Sequence, residues 1–371
     1  MLEVYRVSKS FGAKLAVDNV TFKVRKGEVA TLIGPNASGK TTILKLVAGL
    51  LEPDSGTIVI GGDIAYDKPP GARKPRVNRA PYERNLGYLP QEPSLFPHLT
   101  VRENIELPLR KRGWSKADIS KRVREVLELT GLEGYENMYP RELSAGLRQK
   151  ASIARILAYN PPLILLDEPF SQIDPAGREK LRVELLDLFR RLGYTVLLTT
   201  HLLEDILFFR DHILAVVDGR LVYDGSLSEE EVVSSKYMVE LLGFLSIPVK
   251  VIRCVENGKA IVSMGGGEVT IEYNPHTSVC REGSELHIVV NPGLLNIARG
   301  REASTSNSVL LKAYIRDYVD EVTRVRLIAE VEGRIAKITI AKTEWIEVRE
   351  SVGKEVFLRV AGEHVHLVEL K

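Results

Sequence analysis

The chain has 371 residues, and its 51 Lys and Arg residues nearly balance its 49 Asp and Glu residues, which leaves a net charge of +2. This balance excludes a nucleic-acid binder that works through bulk positive charge. Hydrophobic residues make up 44% and charged residues 27% of the chain, which argues against disorder over its whole length. At roughly 150 residues per domain, the length predicts two domains or a little more.

The start of the chain has no apolar stretch of the signal-peptide kind, and no apolar run approaches the ~18 residues that a membrane span needs. Cys254 and Cys280 are too few for a disulfide framework, which fits a reducing compartment. We therefore expect a soluble, cytosolic protein. If it serves transport, another chain must form the pore.

Strand-like and helix-like segments alternate from residue 1 to about residue 235. Glu28 to Ile33 is an apolar run that ends at Gly34, and Thr41 to Leu50 then carries apolar residues at helical spacing. The section from about 94 to 160 has helical spacing almost throughout. This section predicts a helical subdomain inserted between two parts of a sheet.

The second part of this sheet is predicted downstream of the helical section. Leu163 to Leu166 is typical of a buried strand, and Thr195 to Thr200 is predicted as the next strand. Between them, Asp174 and Pro175 look like the cap and first turn of a helix. Strands and helices in alternation predict a parallel or mixed sheet covered by helices, and hence an α/β domain over residues 1–235.

The residue pattern changes after about residue 240, where short β-rich runs are separated by turns rich in Gly and Asn. This pattern predicts an all-β barrel or sandwich over residues 240–371. A weak repeat is also present, because Gly283 to Val290 resembles Gly353 to Val360, 70 residues later. Two copies of a small β unit, packed together, would account for it.

A phosphate-binding loop is predicted between the first apolar strand and the helix that follows. Its glycines let backbone N–H groups point at phosphate oxygens, and the helix start adds partial positive charge. Lys40 supplies a point charge to the β- and γ-phosphates, and the Thr41 hydroxyl can ligate Mg²⁺. The alternative is a glycine-containing turn that merely joins strand to helix. The pattern G-x-x-x-x-G-K-[ST] is matched by Gly34, Pro35, Asn36, Ala37, Ser38, Gly39, Lys40 and Thr41.

Two carboxylates follow the apolar run at Leu163 to Leu166. At the carboxyl end of a buried strand, Asp167 would lie beside the phosphate loop and could reach Mg²⁺ directly or through water. Glu168 could polarise the attacking water as a general base. Solvated acids at a strand end are the alternative interpretation of the same pair.

A third signal precedes a predicted helix at Leu143 to Leu147. Ser144 is a plausible helix cap, and capping alone would explain it. Alternatively, this helix start binds a phosphate through the Ser144 hydroxyl and backbone N–H groups.

Taken in order, these segments resemble an ATP-binding subunit of the ABC transporter family, over residues 1 to about 235. Residues 34–42, which include Thr42, match the Walker A loop, and Asp167 with Glu168 matches Walker B and its catalytic glutamate. The other matches are Gln91 to the Q-loop, Leu143 to Leu147 to the signature, Ser171 to Asp174 to the D-loop, His201 to the switch histidine and Phe11 to the adenine-stacking aromatic.

The resemblance implies an ATPase that uses ATP and Mg²⁺, with Thr41, Gln91 and Asp167 around the metal. Two copies would dimerise head to tail, so that Ser144 and Gly146 hold the γ-phosphate of the partner's ATP. Glu168 and His201 would organise hydrolysis. Gln91 would also sense a membrane permease, which would dock on the helical section and place the subunit at the cytoplasmic face of the membrane. An extracytoplasmic solute-binding protein would be an indirect partner, and nucleic acid none.

Two positions depart from the family signature L-S-G-G-Q, because Ala145 replaces the first glycine and Leu147 the glutamine. Since Ser144 and Gly146 are retained, we expect activity. The stretch from Asp63 to Arg84 is long for the family and rich in proline and in cations. It is predicted to be a solvated, mobile loop, and contact with a partner or with lipid headgroups is the alternative.

The β-rich tail resembles the OB-like TOBE regulatory domain of importer ATPases, and its last part is similar to the Mop-type module of molybdate and tungstate importers. The similarity rests on Ser304 to Ser308, Gly333 to Thr339, Ser351 to Gly353 and His364 to Leu367. One departure is that Ala361 to Glu363 stands where the Mop pattern has K-A-S, so a carboxylate would repel an oxyanion there. In that case the tail would serve dimerisation alone.

Three functions remain open from the residues. The first is the ATPase of a tungstate or molybdate importer, and the second is the ATPase of a sugar or other solute importer. The third is a soluble ABC ATPase that acts on nucleic acid, against which the single cassette, the β tail and the net charge of +2 argue.

Overall fold

The computed structural model describes residues 1–92, 94–226, 235–255, 258–264, 267–273, 280–298, 308–320 and 324–368. The chain divides into two compact units, Met1–Leu227 and Ser228–Lys371. Among the helices of these described ranges, none is long and apolar enough to cross a membrane.

The first unit combines strands and helices in alternation. In chain order its elements are β1 (Leu2–Phe11), β2 (Lys14–Val24), β3 (Val29–Ile33), α1 (Lys40–Ala48), β4 (Ser55–Ile60), β5 (Asp63–Lys68), β6 (Val77–Asn78), β7 (Leu86–Leu89), α2 (Val101–Lys111), α3 (Lys116–Thr130), α4 (Ala145–Leu157), β8 (Leu163–Asp167), α5 (Pro175–Leu192), β9 (Thr195–Thr200), α6 (Leu203–Phe208), β10 (His212–Val217) and β11 (Arg220–Gly225).

These strands form two sheets, of which the second confirms the predicted mixed sheet. The first is antiparallel, with the order β2-β1-β4-β5-β6, and the second has the order β11-β10-β3-β9-β8-β7. In the second sheet all neighbours are parallel except β10 and β11. Strands β3, β8 and β9 are buried along their whole length, as expected of parallel strands covered on both faces.

Helices cover both faces of the mixed sheet. Helix α1 packs in the core shared with the antiparallel sheet, and α5 packs in the core on the other face. Helices α2, α3 and α4 lie in the section predicted to be helical and bury a separate apolar cluster. Because parallel strands end at one edge, residues just after β3, β7, β8 and β9 are brought together there.

The segment from Asp63 to Arg84 corrects the prediction of a solvated, mobile loop. Strands β5 and β6 extend the antiparallel sheet, and the side chain of Tyr66 is fully buried. Arg84 is buried as well, at 3% exposure, because its guanidinium donates to backbone carbonyls at the end of α1. Prolines and cations suggested a loop, but Ala65 and Tyr66 of β5 are buried in the core.

The second unit consists mainly of antiparallel strands. In chain order its elements are α7 (Lys236–Leu241), β12 (Leu245–Val255), β13 (Lys259–Met264), β14 (Gly267–Glu272), β15 (Glu285–Val290), β16 (Asn296–Ile297), β17 (Ser308–Asp320), β18 (Arg324–Val331), β19 (Arg334–Ala341), α8 (Lys342–Val348), β20 (Glu355–Ala361) and β21 (Val365–Val368).

Two five-stranded sheets share one apolar core in this unit. Their orders are β14-β13-β12-β15-β21 and β19-β18-β17-β20-β16, so the two sheets repeat one plan. The similar sequences at Gly283 to Val290 and Gly353 to Val360 occupy matching strands, β15 and β20. The fifth strands are exchanged, because β16 follows the first copy but pairs in the second sheet, while β21 closes the first.

The two cysteines are bonded to each other, which the cysteine count did not anticipate. Cys254 lies at the end of β12, and Cys280 lies before β15. Strand pairing brings their Cα atoms to 6.0 Å although they are 26 residues apart in the chain. Of the Mop-like segments, Ser304 to Asn307 and the side chain of Glu363 lie outside the described residues.

Candidate functional site

Glycine is required at two points of the loop between β3 and α1. Gly34 has φ +152°, and a Cβ there would lie 2.1 Å from the Val216 carbonyl oxygen. Gly39 has φ +108°, and its Cβ would lie 2.4 Å from the Ala16 carbonyl oxygen. Any side chain at either position would therefore open the loop, so the tight curl that aims N–H groups inward depends on both glycines.

Lys40 and Ser38 present buried polar groups inside this curl. The Lys40 ammonium donates to the carbonyl oxygens of Gly34, at 2.9 Å, and Pro35, at 2.8 Å. Burial lowers the pKa of Lys40, although the carboxylates of Glu168 and Asp167 oppose that shift. The buried hydroxyl of Ser38 has no hydrogen-bond partner among the described residues. A cation and an unpaired hydroxyl in a glycine-lined curl fit a bound phosphate.

Asp167 ends β8 beside the start of α1. Its Oδ1 accepts hydrogen bonds from the hydroxyls of Thr41, at 2.9 Å, and Thr199, at 2.8 Å. Tyr88 donates to its Oδ2 at 3.4 Å, and burial, followed by the charge of Asp167, raises the pKa of that phenol. The hydroxyl and the carboxylate are hard oxygen donors that suit Mg²⁺.

Glu168 is held at both carboxylate oxygens. His201 Nδ1 lies 3.2 Å from Oε1, and Gln91 Nε2 donates to Oε2 at 3.2 Å. The backbone N–H of Glu168 donates to the Thr199 hydroxyl at 2.9 Å. Its φ of +48° is left-handed, a conformation that costs about 1 kcal/mol or more in a non-glycine residue. Such local strain marks sites where the direction of a side chain matters.

These side chains surround one cavity of about 510 Å³. Its position at the carboxyl edge of the parallel strands is where α/β sheets bind ligands. The cavity combines an aromatic ring, a phosphate loop, hard oxygen donors and a carboxylate, so it fits a nucleoside triphosphate with Mg²⁺. The lining residues are Phe11, Lys14, Ala16, Asn36, Ala37, Ser38, Gly39, Lys40, Thr41, Thr42, Gln91, Glu168 and His201.

The structure brings most of the predicted site residues together but not all. Gly34, Pro35 and Asp167 support the cavity through the contacts above. Ser144 caps α4 by accepting from Leu147 N at 3.3 Å, and Gly146 lies in the first turn of that helix; neither lines the cavity. Asp174 caps α5 by accepting from Gly177 N at 2.9 Å and also lies outside it.

Thr199 is a site residue that the sequence analysis did not single out. Its hydroxyl contacts both Asp167 and the backbone of Glu168. Only the strand register identifies Thr199 as a site residue, because it pairs with Asp167 across β8 and β9. Lys14 and Ala16 of β2 also line the cavity, and nothing in their own local pattern marks them.

The chain is similar to known proteins along most of its length. A family model described as "ABC transporter" matches residues 17–171. A sulfate/thiosulfate import ATP-binding protein of Chromobacterium violaceum is 35% identical over 88% of this chain and 83% of its own. A molybdate/tungstate import ATP-binding protein of Pyrococcus horikoshii is 30% identical over 99% of both chains.

A solved dimeric structure of a bacterial ABC transporter cassette is similar to the chain as well. It has a TM-score of 0.53 and 30% identity, and the match covers 62% of this chain and 99% of that one. The same cassette is also solved as a dimer in a post-hydrolysis state with ADP and Pi.

Proposed function

The chain belongs to the ABC transporter family of ATP-binding subunits and is an ATPase, and from this premise we propose how its residues work and what it imports. The observation that carries the proposal is the arrangement around Glu168. One carboxylate that faces the cavity is held by Gln91 and His201, next to a second carboxylate that contacts Thr41.

Hydrolysis needs a water placed and deprotonated beside the terminal phosphate. We assign the base to Glu168, whose carboxylate would accept the proton of the attacking water. His201 fixes one carboxylate oxygen, and its ring would face the γ-phosphate. The loop N–H groups and Lys40 would hold the β- and γ-phosphates, and Phe11 would stack on the adenine.

Thr41, Asp167 and Gln91 would hold Mg²⁺, which supplies charge neutralisation between the phosphates when bound. Ser144 and Gly146 do not line the cavity of their own chain. In the proposal they complete the site of a second copy, so that two chains enclose two ATP molecules. Asp174, in the D-loop, would lie at the same interface. A membrane permease would dock on the helical subdomain.

The assigned base is tested by steady-state ATPase measurements on the wild type and on Glu168→Gln. Removal of a general base costs on the order of 10²- to 10⁴-fold in rate, while ATP binding should persist because the amide keeps the shape. An equilibrium binding measurement with ATP therefore serves as the control. Equal ATPase rates in the two proteins would refute the assignment.

We propose tungstate or molybdate as the cargo. Support comes from the tail, whose order of short segments is similar to the Mop module, and from the molybdate/tungstate relative, whose match covers 99% of this chain against 88% for the sulfate/thiosulfate relative. The runner-up is the import of a sugar or another solute, and the sulfate/thiosulfate relative makes sulfate a required comparison.

The cargo is tested by uptake in cells with and without the gene, using labelled tungstate, sulfate and a panel of sugars. Loss of tungstate uptake alone is the expected result. Loss of sulfate or sugar uptake with tungstate unchanged would overturn the cargo and leave the ATPase intact.

We propose that the tail is a Mop-like regulatory domain whose oxyanion site is weakened by the acid at Glu363. Full-length protein should then give no heat of binding when titrated with tungstate, and the tail would act in dimerisation. Saturable binding at micromolar concentration would overturn the proposed effect of Glu363.

A further inference from the structure

The backbone between Glu168 and the start of α5 is held by two turn hydrogen bonds, from Ser171 N to Glu168 O and from Ile173 N to Phe170 O, and by side chains. We call residues Glu168–Asp174 the glutamate loop. The Ser171 hydroxyl donates to the Glu168 carbonyl at 3.0 Å. Arg178, on α5, donates to the carbonyl oxygens of Phe170 at 3.2 Å and Ile173 at 3.0 Å. All these donors lie within the loop or on the helix that follows it.

The Pro169 carbonyl is the exception, because its donor comes from α4. Gln149 Nε2 donates to it at 2.7 Å, and the Gln149 side chain is only 4% exposed. Among the described residues, no other hydrogen bond joins the helical subdomain to the glutamate loop. Pro169 has no N–H group, so this carbonyl is its single backbone hydrogen-bonding group.

Gln149 also lies close to the end of α4 that would meet the partner's ATP. Ser144 caps this helix, and Gln149 follows five residues later, roughly 7.5 Å along the axis. Because a helix moves as a rigid body, a displacement of the N-terminus of α4 moves Gln149 by nearly the same distance. A side-chain hydrogen bond is lost at about 3.6 Å, so a shift of about 1 Å along the bond would release Pro169.

We infer that Gln149 is a positioning residue that couples the two ATP sites of the dimer: seating of the α4 N-terminus on the partner's ATP holds the chain's own Glu168 in its active position. The inference rests on the proposed homodimer. Pro169 directly follows Glu168, which has a left-handed φ of +48°. The direction of the Glu168 side chain therefore depends on how the neighbouring backbone is held.

A merely structural role for Gln149 predicts a different pattern. Loss of packing between α4 and the rest of the unit would slow both sites equally, wherever the change is placed. The chain offers a matched comparison, because Lys150 joins α4 to Glu184 of α5 through an ion pair of 2.6 Å that does not touch the glutamate loop. Lys150→Ala therefore loosens the packing of α4 against the rest of the unit without releasing Pro169.

The test uses Gln149→Met, which keeps the side-chain length and removes the donor, in mixed dimers purified through two different tags. One chain carries Glu168→Gln, so only the other chain's Glu168 is active. Gln149→Met in the chain with the active Glu168 should lower the ATPase rate roughly three- to tenfold, as expected for one hydrogen bond. The same substitution in the inactive chain, whose α4 meets the ATP being hydrolysed, should leave the rate within twofold, as should Lys150→Ala in either chain.

An effect of Gln149→Met confined to the inactive chain, or equal in both, would overturn the inference. Melting temperatures of each variant show whether the proteins are folded, and Gln149→Asn provides a second variant, with a donor too short to reach Pro169. Failure of the proposed function has a different signature. Glu168→Gln would then form no ATP-dependent dimer in gel filtration, whatever stands at position 149.

Discussion

Arg182 and Asp205 form an ion pair in the interior of the first unit, with side-chain exposures of 8% and 1%. The Thr200 hydroxyl donates to the other carboxylate oxygen of Asp205 at 2.6 Å. Burial raises the pKa of Asp205, and the hydrogen bond from Thr200 and the charge of Arg182 act against that shift. The pair therefore joins α5 to α6, and the Thr200 hydroxyl links Asp205 to the end of β9, next to His201.

Asp205→Asn should destabilise the protein, because it leaves the buried guanidinium without a counter-charge. Breaking a buried pair costs about 3–5 kcal/mol of unfolding free energy, measured by denaturant titration. Asp211→Asn is the matched control, since Asp211 pairs with Arg190 at side-chain exposures of 55% and 54%, where less than about 1 kcal/mol is expected. Similar losses in the two variants would contradict the role of burial.

His212 lies between two carboxylates at the opposite edge of the mixed sheet from the cavity. Its Nε2 is 2.8 Å from Asp224 Oδ1, and its Nδ1 is 3.2 Å from Glu28 Oε1. The hydrogen bond to Asp224 raises the pKa of His212, the charge of Glu28 adds to this, and burial opposes it. The imidazolium form is therefore favoured by the folded state.

A pKa raised by folding contributes stability that is fully present below the unfolded value of about 6.5 and is lost as the pH rises through the folded value. The difference in unfolding free energy between wild type and His212→Gln should thus be largest near pH 6 and shrink toward pH 9. Denaturant titrations across that range measure it. A difference that grows with pH would show that the sign is wrong.

At the scale of elements, Arg84 links the β5–β6 extension to the phosphate-loop helix. Its guanidinium donates to the carbonyls of Leu46 and Val47, at 2.8 and 2.9 Å, and so satisfies the end of α1. A Cβ at Gly49 would lie 2.5 Å from Arg84 Nε. The arginine can therefore pack against the end of α1 only because residue 49 has no side chain.

Arg84→Leu should lower the unfolding free energy by about 2–4 kcal/mol, because buried carbonyls lose a charged donor. Since α1 carries Lys40 and Thr41, ATP affinity should fall as well. Arg79→Leu is the comparison, because Arg79 is 41% exposed and pairs with Asp63, and it should change stability by under about 1 kcal/mol. Equal stability of the two variants would contradict the capping role.

Local patterns predicted the parts of the structure that local residues determine. The strand β3, the glycine loop and α1 follow one another within 20 residues, and their chemistry is set by residue type and spacing. The burial of Arg84 could not be predicted, because its acceptors belong to a helix that only the tertiary fold brings near. Thr199 was missed for the same reason, since its role depends on the register between β8 and β9.

At the scale of the whole molecule, the second unit depends on its last strand. Strand β21 pairs with β15 from Val290↔Val365 to His287↔Val368 and buries Val365, Leu367 and Val368. Without it, the first five-stranded sheet loses an edge strand even though the rest of that sheet lies between residues 245 and 290.

Deletion of residues 365–371 should therefore lower the melting temperature of the second unit. Three buried side chains, at roughly 1.5–3 kcal/mol each, set the scale of the loss. Scanning calorimetry would measure it, and ATP binding by the first unit, which contains the whole cavity, is the internal control. An unchanged thermogram would show that the pairing of β21 contributes little.

The exchanged fifth strands also constrain the order in which the unit can form during synthesis. The sheet that starts at β12 cannot be completed until β21, at the far end of the chain, has left the ribosome. Contacts between residues so far apart in the chain slow folding, because the chain loses the entropy of loop closure before the contacts can stabilise it. The two repeated sheets therefore cannot mature one after the other as independent modules, because the first sheet gains its last strand only after the second repeat has been synthesised.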